Sequence, residues 1–168
     1  MKKYYLLPLL AISLTSCSSP VSFETFKSKA QDAVKKEHEF TSGKASAKGE
    51  YVIESTQVKV DEEYSYKYNS GTKSWNITDT NLSDDVRAFI AILVDSMLNS
   101  DPTEYASKET EGVKYYASNS GFKVVDASSS EKKSSLSFNS YGLVTEVDIK
   151  GSQDSNKIDF TVKYSYSK

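Results

Sequence analysis

Side chains that commonly carry out catalysis are scarce in this chain, which has one cysteine, Cys17, and one histidine, His38. A serine hydrolase triad would have to run through His38, because an imidazole must take the proton from the nucleophile. No Gly-x-Ser-x-Gly turn is present in the sequence to expose such a serine. His38 stands between Glu37 and Glu39, where a solvated surface histidine is expected. We therefore predict that the protein is not an enzyme.

Metal and nucleotide chemistry also lack their usual sequence patterns. Structural zinc needs several His or Cys ligands, and the chain has one of each. The acidic runs 61–63 and 84–85 offer oxygen ligands to calcium, but without an EF-hand pattern, so solvated strand ends and a helix N-terminus explain them better. Neither Gly-x-Gly-x-x-Gly nor a P-loop occurs. We expect no metal and no cofactor, while paired carboxylates for glycoside hydrolysis stay open, because the fold decides which carboxylates meet.

The N-terminal segment has the layout of a cleaved export signal. Positive Lys2 and Lys3 precede a mostly apolar run from Tyr4 to Leu14, and small residues then lead to Cys17. A membrane-spanning helix needs about 20 apolar residues, and this run is shorter and contains a proline. The pattern predicts a signal peptide over residues 1–16.

The four residues Leu14-Thr15-Ser16-Cys17 resemble the lipobox of bacterial lipoproteins. The resemblance implies cleavage before Cys17, diacylglycerol on its sulfur and a mature protein held on the extracytoplasmic face of the cell membrane. Two acyl chains together give stable anchoring, whereas a single chain binds only marginally. An ordinary secretory signal with an incidental Cys17 is the alternative.

The remaining sequence predicts a lipidated tether over residues 17–22 and one α+β domain over residues 23–168. After removal of the signal, 19 basic residues stand against 23 acidic ones, which gives no indication of a nucleic-acid partner. With one cysteine the domain cannot form an internal disulfide, so its stability must come from its core.

Two helices are predicted from apolar residues at helical spacing. The first is amphipathic, extends from Phe23 to about Phe40 and is closed near Ser42-Gly43. The second follows an N-cap at Ser83, extends to about Asn99 and is apolar nearly all round, so it must be covered on most sides.

Between and after the helices, apolar and polar residues alternate with a period of two, which is typical of half-buried strands. The chain order is helix, about three strands, helix and about five strands. Sequential hairpins of this kind favour an antiparallel sheet, and about eight twisted strands curl. We expect a curved sheet forming a half-open barrel, with both helices packed in its concave face. The predicted strands cover 45–53, 58–68, 75–77, 113–117, 122–124, 136–138, 143–149 and 158–166.

This order of elements resembles the half-barrel lipid carriers of bacterial envelopes, the LolA and LolB-like and LprG-like proteins. The resemblance implies an apolar pocket between sheet and helix that holds a lipid-like ligand without breaking a bond. The tyrosine rows could wall such a cavity or form a stacking platform for sugars, although ordinary sheet packing also explains them. The predicted ligand-binding residues are Phe89, Leu93, Val94, Met97, Tyr64, Tyr66 and Tyr164.

The alternative function is that of a surface or assembly lipoprotein. Such a protein would have a solidly packed sheet and no small-molecule pocket, and it would act by contact with another envelope protein. Lys- and Ser-rich outer strand positions and the lack of a recognisable site favour this alternative.

Overall fold

The computed structural model describes residues 19–53, 55–78, 85–153 and 155–168, and within these ranges the chain is mostly β. The two helices are α1 (Phe23–Ala33) and α2 (Asp85–Leu98). The nine strands are β1 (Pro20–Val21), β2 (Ser42–Ile53), β3 (Thr56–Asn69), β4 (Ser74–Ile77), β5 (Val113–Ala117), β6 (Gly121–Asp126), β7 (Lys132–Asn139), β8 (Val144–Gln153) and β9 (Asn156–Ser167). All eight predicted strands are confirmed, and β1 is an addition. The predicted N-cap Ser83 lies outside the described residues.

The strands form one open, curved antiparallel sheet in the order β1-β5-β6-β7-β8-β9-β2-β3-β4. The sheet therefore joins two meanders, β2–β4 and β5–β9, along β2 and β9. At this junction Ala45 stands opposite Tyr64 on one side and Tyr164 on the other. We call the face that carries these three buried residues the inner face of the sheet.

Strand β1 lies within the segment that was predicted to be a tether. Pro20 pairs with Tyr116 and Val21 pairs with Tyr115. Ser22 then caps α1, because its side chain accepts a hydrogen bond from Thr25 N–H at 3.3 Å. The part of residues 17–22 nearest the domain is thus built into the sheet.

Helix α1 packs on the inner face over β5 and β6. Its buried Phe26 contacts Tyr115 and Phe122, with ring centroids 4.9 and 5.6 Å apart. The helix ends at Ala33, well before the predicted limit near Phe40. Phe40 instead packs beside the sheet against Tyr166, with ring centroids 5.8 Å apart.

Gly43 was predicted to close the first helix, and this was wrong. It lies in β2, opposite Tyr66 of β3 and Tyr166 of β9. A Cβ at Gly43 would lie 2.3 Å from both the Tyr66 ring and the Ser165 carbonyl oxygen. The glycine is needed because the Tyr66 ring crosses β2 at this point.

Helix α2 packs on the inner face with one side only. Its buried residues include Ile90, Val94 and Leu98. In contrast, Phe89 is 54% exposed and Ile92 is 68% exposed, so the prediction that this helix is covered on most sides was wrong. The sheet covers one side of α2, and α1 packs elsewhere, on β5 and β6. None of the described helices is long and apolar enough to cross a membrane.

Candidate functional site

A cavity of about 820 Å³ lies between α2 and one end of the sheet. Its volume falls within the range of about 300–1,000 Å³ that is usual for small-molecule sites. The apolar residues around it are Tyr51, Val52, Phe89, Ile90, Leu93, Met97, Ile149, Ile158 and Phe160. We refer to this space as the apolar cavity.

The helix side of the apolar cavity follows from helical spacing. Phe89, Leu93 and Met97 are four residues apart, so they line one face of α2, beside the face that enters the core. The apolar residues around α2 thus form two adjacent surfaces. One arc of the helix packs against the sheet and the next arc faces the cavity.

The sheet side of the apolar cavity is formed by inner-face positions of β2, β8 and β9. Ile149 stands opposite Phe160, and Tyr51 stands opposite Ile158. Next to this last pair, Gly151 of β8 has no side chain to contribute. Apolar side chains therefore form the wall, and a glycine leaves part of it recessed.

Polar groups surround the mouth of the cavity and bind one another. Glu50 accepts hydrogen bonds from Lys157 Nζ at 3.1 Å and Gln57 Nε2 at 2.7 Å. These bonds and the lysine charge lower the pKa of the Glu50 carboxyl. Asp126 accepts from the hydroxyl and the N–H of Ser128, at 2.7 and 3.0 Å, and these bonds lower its pKa. Both carboxylates are thus ionised at neutral pH, and both already accept hydrogen bonds from neighbouring side chains.

Two buried tyrosines fix α2 to the sheet from below. Tyr64 Oη donates to the carbonyl oxygen of Arg87 at 2.9 Å, and Tyr164 Oη donates to that of Val94 at 3.0 Å. Burial raises the pKa of Tyr164 far above its usual range, so this hydroxyl keeps its proton. The two bonds hold the helix at a set distance above β2, where Ala45 and Ala47 leave room for it.

Asp95 of α2 and Asn99, the residue that follows this helix, cover the free edge of β4. Asn99 accepts from Trp75 N–H through Oδ1 and donates to the Trp75 carbonyl through Nδ2, both at 2.8 Å. Asp95 Oδ1 accepts from Ile77 N–H at 3.3 Å. These side chains replace a neighbouring strand, which protects an edge from pairing with other chains. Sequence reasoning missed both residues, because they look like ordinary polar residues of a helix.

The single arginine of the chain is a further residue that sequence reasoning missed. Arg87 Nε binds Glu62 Oε2 at 2.9 Å, and the guanidinium lies 5.5 Å from the centre of the Tyr64 ring. Glu62 shares the inner face with Tyr64, so its carboxylate needs this partner. One Arg among 20 Lys was the available signal, since a planar guanidinium suits a carboxylate better than an ammonium does.

The residues predicted to bind a ligand divide into two groups. Phe89, Leu93 and Met97 line the apolar cavity. The others lie in the core and have relative exposures of 6% or less: Val94, Tyr64, Tyr66 and Tyr164. Tyr66 Oη donates a hydrogen bond to the Ser165 carbonyl oxygen at 2.8 Å. The hydroxyls of all three tyrosines are therefore bound to backbone carbonyl oxygens within the domain. Cys17, the predicted lipid attachment residue, lies outside the described residues.

His38 is not the solvated histidine that the sequence predicted. It stacks on Trp75 with ring centroids 5.7 Å apart and meets Tyr68 edge-on at 4.9 Å. Its Nδ1 is buried without a hydrogen-bond partner among the described residues. The ring belongs to a packed group at the opposite end of the sheet from the cavity, which we call the aromatic cluster: His38, Phe40, Tyr66, Tyr68, Trp75, Tyr141 and Tyr166.

Within the described ranges, no group of three or more His, Cys, Asp or Glu side chains is arranged to hold a metal ion. No protein-family model matches the sequence, and a comparison with characterised proteins finds no match. Among the described residues, the apolar cavity is therefore the feature that could bind a ligand.

Proposed function

We propose that the protein is a membrane-anchored lipoprotein that holds an apolar, lipid-like ligand in the apolar cavity and breaks no bond. The observation that carries the proposal is the space of about 820 Å³ bordered by Phe89, Leu93 and Met97. A large apolar cavity with a polar mouth is the usual form of a site for an apolar molecule. In this proposal the curved sheet is a half-open barrel, and both helices lie in its concave face.

The exposure of Phe89 further supports this function. Its side chain is 54% exposed although it borders the cavity, so apolar surface stays in contact with water when the cavity is empty. An acyl chain entering the cavity would remove that surface from water, and each buried methylene contributes about 0.8 kcal/mol. Binding would thus be driven by the same helix face that the sheet leaves uncovered.

The position of β1 supports one orientation of the anchored domain. Through the pairings of β5 to β9, Pro20 lies in register with Lys163 of β9. Ile158, at the cavity, lies five residues earlier on that strand, about 17 Å away along its axis. Cys17 is three residues from Pro20, a reach of about 10 Å at most. The described chain thus begins at a sheet position that is displaced along the strands from the mouth of the cavity.

Blocking the cavity tests the proposal. Leu93→Trp places a larger side chain into the space, whereas Ile92→Trp places the same side chain on the 68% exposed side of α2. With delipidated protein and a fluorescent fatty acid, we expect saturable, stoichiometric binding by the wild type and by Ile92→Trp. Leu93→Trp should bind at least about tenfold more weakly.

Circular dichroism and thermal unfolding of each variant serve as the folding control for this experiment. Equal binding by Leu93→Trp and Ile92→Trp would place the fatty acid outside the cavity. Wild-type binding no better than that of an unrelated folded domain would overturn the proposal.

The alternative, a lipoprotein that acts by contact with another envelope protein, is favoured by one observation. Ile92 is the most exposed large apolar residue of the described chain, and Phe89 lies next to it on α2. Exposed apolar residues that adjoin one another commonly mark contact sites. Under this alternative, Ile92→Asp abolishes crosslinking to one specific envelope protein while fatty-acid binding stays unchanged. Crosslinking that survives Ile92→Asp would count against it.

A further inference from the structure

Charged side chains of both signs border the apolar cavity. Two carboxylates, Glu50 and Asp126, are outnumbered there by four lysines: Lys132, Lys133, Lys150 and Lys157. Two of these lysines are engaged, because Lys157 binds Glu50 at 3.1 Å and Lys150 binds Asp159 at 3.5 Å. Lys132 and Lys133 form no ion pair within the described part of the chain.

Neither of the two carboxylates that border the cavity forms an ion pair with Lys132. Glu50 belongs to the other face of the sheet, as do Lys133, Lys150 and Lys157, and it is bound there by Lys157 and Gln57. Asp126 shares the inner face, and its Oδ1 accepts two hydrogen bonds from Ser128 instead of binding the lysine. Within the residues that the structure describes, Lys132 therefore borders the cavity without a paired carboxylate.

The placement of Lys132 directs it to the cavity rather than to the opposite face. It stands opposite Gly151 at the start of β7, in register with the inner-face residues Ile158 and Tyr51. Its Cγ lies 3.4 Å from the position that a Cβ would occupy at Gly151, so the stem of the lysine lies over this glycine. Because strand residues alternate, Lys133 belongs to the other face. The apolar wall of the cavity thus ends in one inward cation.

We propose that the ligand is a long-chain amphiphile with an anionic head group. Its chain lies between α2 and the sheet, and its carboxylate or phosphate oxygens pair with Lys132 at the mouth. This inference rests on the proposed function, since it names the class of ligand that the same cavity takes. Charge-assisted hydrogen bonds are stronger than neutral ones, so one such contact is enough to prefer an anion over an alcohol of equal chain length.

The test compares three C16 probes that differ only in the head group: palmitate, hexadecanol and hexadecylamine. Each probe displaces a fluorescent fatty acid from the delipidated protein at pH 8. We expect palmitate to bind about tenfold more tightly than hexadecanol, and hexadecylamine to bind most weakly. Lys132→Met keeps the apolar stem and removes the charge, so it should bring palmitate to the affinity of hexadecanol and leave hexadecanol binding unchanged.

Lys114→Met is the matched control, because Lys114 is an exposed lysine of β5 that does not border the cavity. It should keep the full preference for palmitate. Equal binding of all three probes by the wild type, or an unchanged preference in Lys132→Met, would overturn the anionic ligand while leaving the proposed function in place. If none of the three probes bound, both proposals would fall together.

Discussion

Glycines on the inner face have opposite effects at the two ends of the sheet. At one end, Gly43 lies beneath the ring of Tyr66, whose hydroxyl reaches across to the Ser165 carbonyl. At the other end, Gly151 of β8 adjoins the apolar cavity, and a Cβ there would lie 3.4 Å from both the Glu131 carbonyl oxygen and the stem of Lys132. A missing side chain on the inner face thus permits dense packing where a neighbouring ring crosses it and leaves space where none does.

The difference between the two ends lies in their neighbours. Around Gly43, Trp75 meets Tyr66 and Tyr166 with ring centroids 5.4 and 5.0 Å apart, so large rings fill the space. At the end with Gly151, α2 borders the same cavity, and Tyr64 and Tyr164 hold that helix above the sheet. The aromatic cluster stabilises the fold, and the apolar cavity is the part that remains open for a ligand.

The largest effect is expected at the filled end. Gly43→Ala forces a Cβ against the Tyr66 ring and the Ser165 carbonyl, so it should lower the free energy of unfolding by about 3 kcal/mol. Gly71→Ala is the control, because its Cβ would meet only the Asn69 side chain at 3.3 Å. Urea unfolding measures both. Equal stability of Gly43→Ala and the wild type would show that Tyr66 has room to move.

A smaller effect should distinguish two neighbouring residues of α2. Val94 is fully buried, so Val94→Ala should cost about 2 kcal/mol of unfolding free energy. Leu93 already borders empty space, and Leu93→Ala should cost about 1 kcal/mol or less although it removes more atoms. The same urea unfolding measurements apply. A greater loss for Leu93→Ala would mean that the cavity wall is packed rather than open.

The buried phenols should have the smallest effect on stability at physiological pH, because the loss of unfolding free energy that they cause begins only above about pH 10. Burial raises the pKa values of Tyr66, Tyr164 and Tyr166 well above the ordinary value near 10. Above pH 10 the unfolded chain loses these protons while the folded chain retains them, so the contribution of these phenols to the unfolding free energy is constant below pH 10 and falls above it.

Tyrosinate absorbance and circular dichroism, followed together in a pH titration, check this expectation. The last phenols to ionise should do so in the same step in which the sheet unfolds. In concentrated urea all tyrosines should instead titrate together near pH 10. Complete ionisation of the native protein before any loss of its circular dichroism would contradict the burial of these hydroxyls.

Local patterns predicted most of the strands, because alternation with a period of two is a local consequence of one face being buried. The run from Ile158 to Tyr166 is an example, with Phe160, Val162 and Tyr164 buried as the pattern requires. The end of α1 was not predictable in this way. Phe40 fits a helical period, yet its contacts with Tyr141 and Tyr166 come from residues more than 100 positions away.

The candidate site was predicted only in part for the same reason. The helical spacing of Phe89, Leu93 and Met97 places them on one face, but it does not reveal whether that face meets protein, ligand or water. Tyr64, Tyr66 and Tyr164 share the inner face as the alternation predicts, but their hydroxyls find backbone carbonyls that no local pattern identifies.

By itself the sequence determined where the strands lie, that α2 is apolar, and which residues alternate between the two faces, since these properties depend on neighbours in the chain. Only the tertiary structure decided that β9 pairs with β2, that Tyr66 covers Gly43, and that a cavity remains beside Leu93. The physical reason is that packing is set by which distant side chains meet and how much volume they fill together.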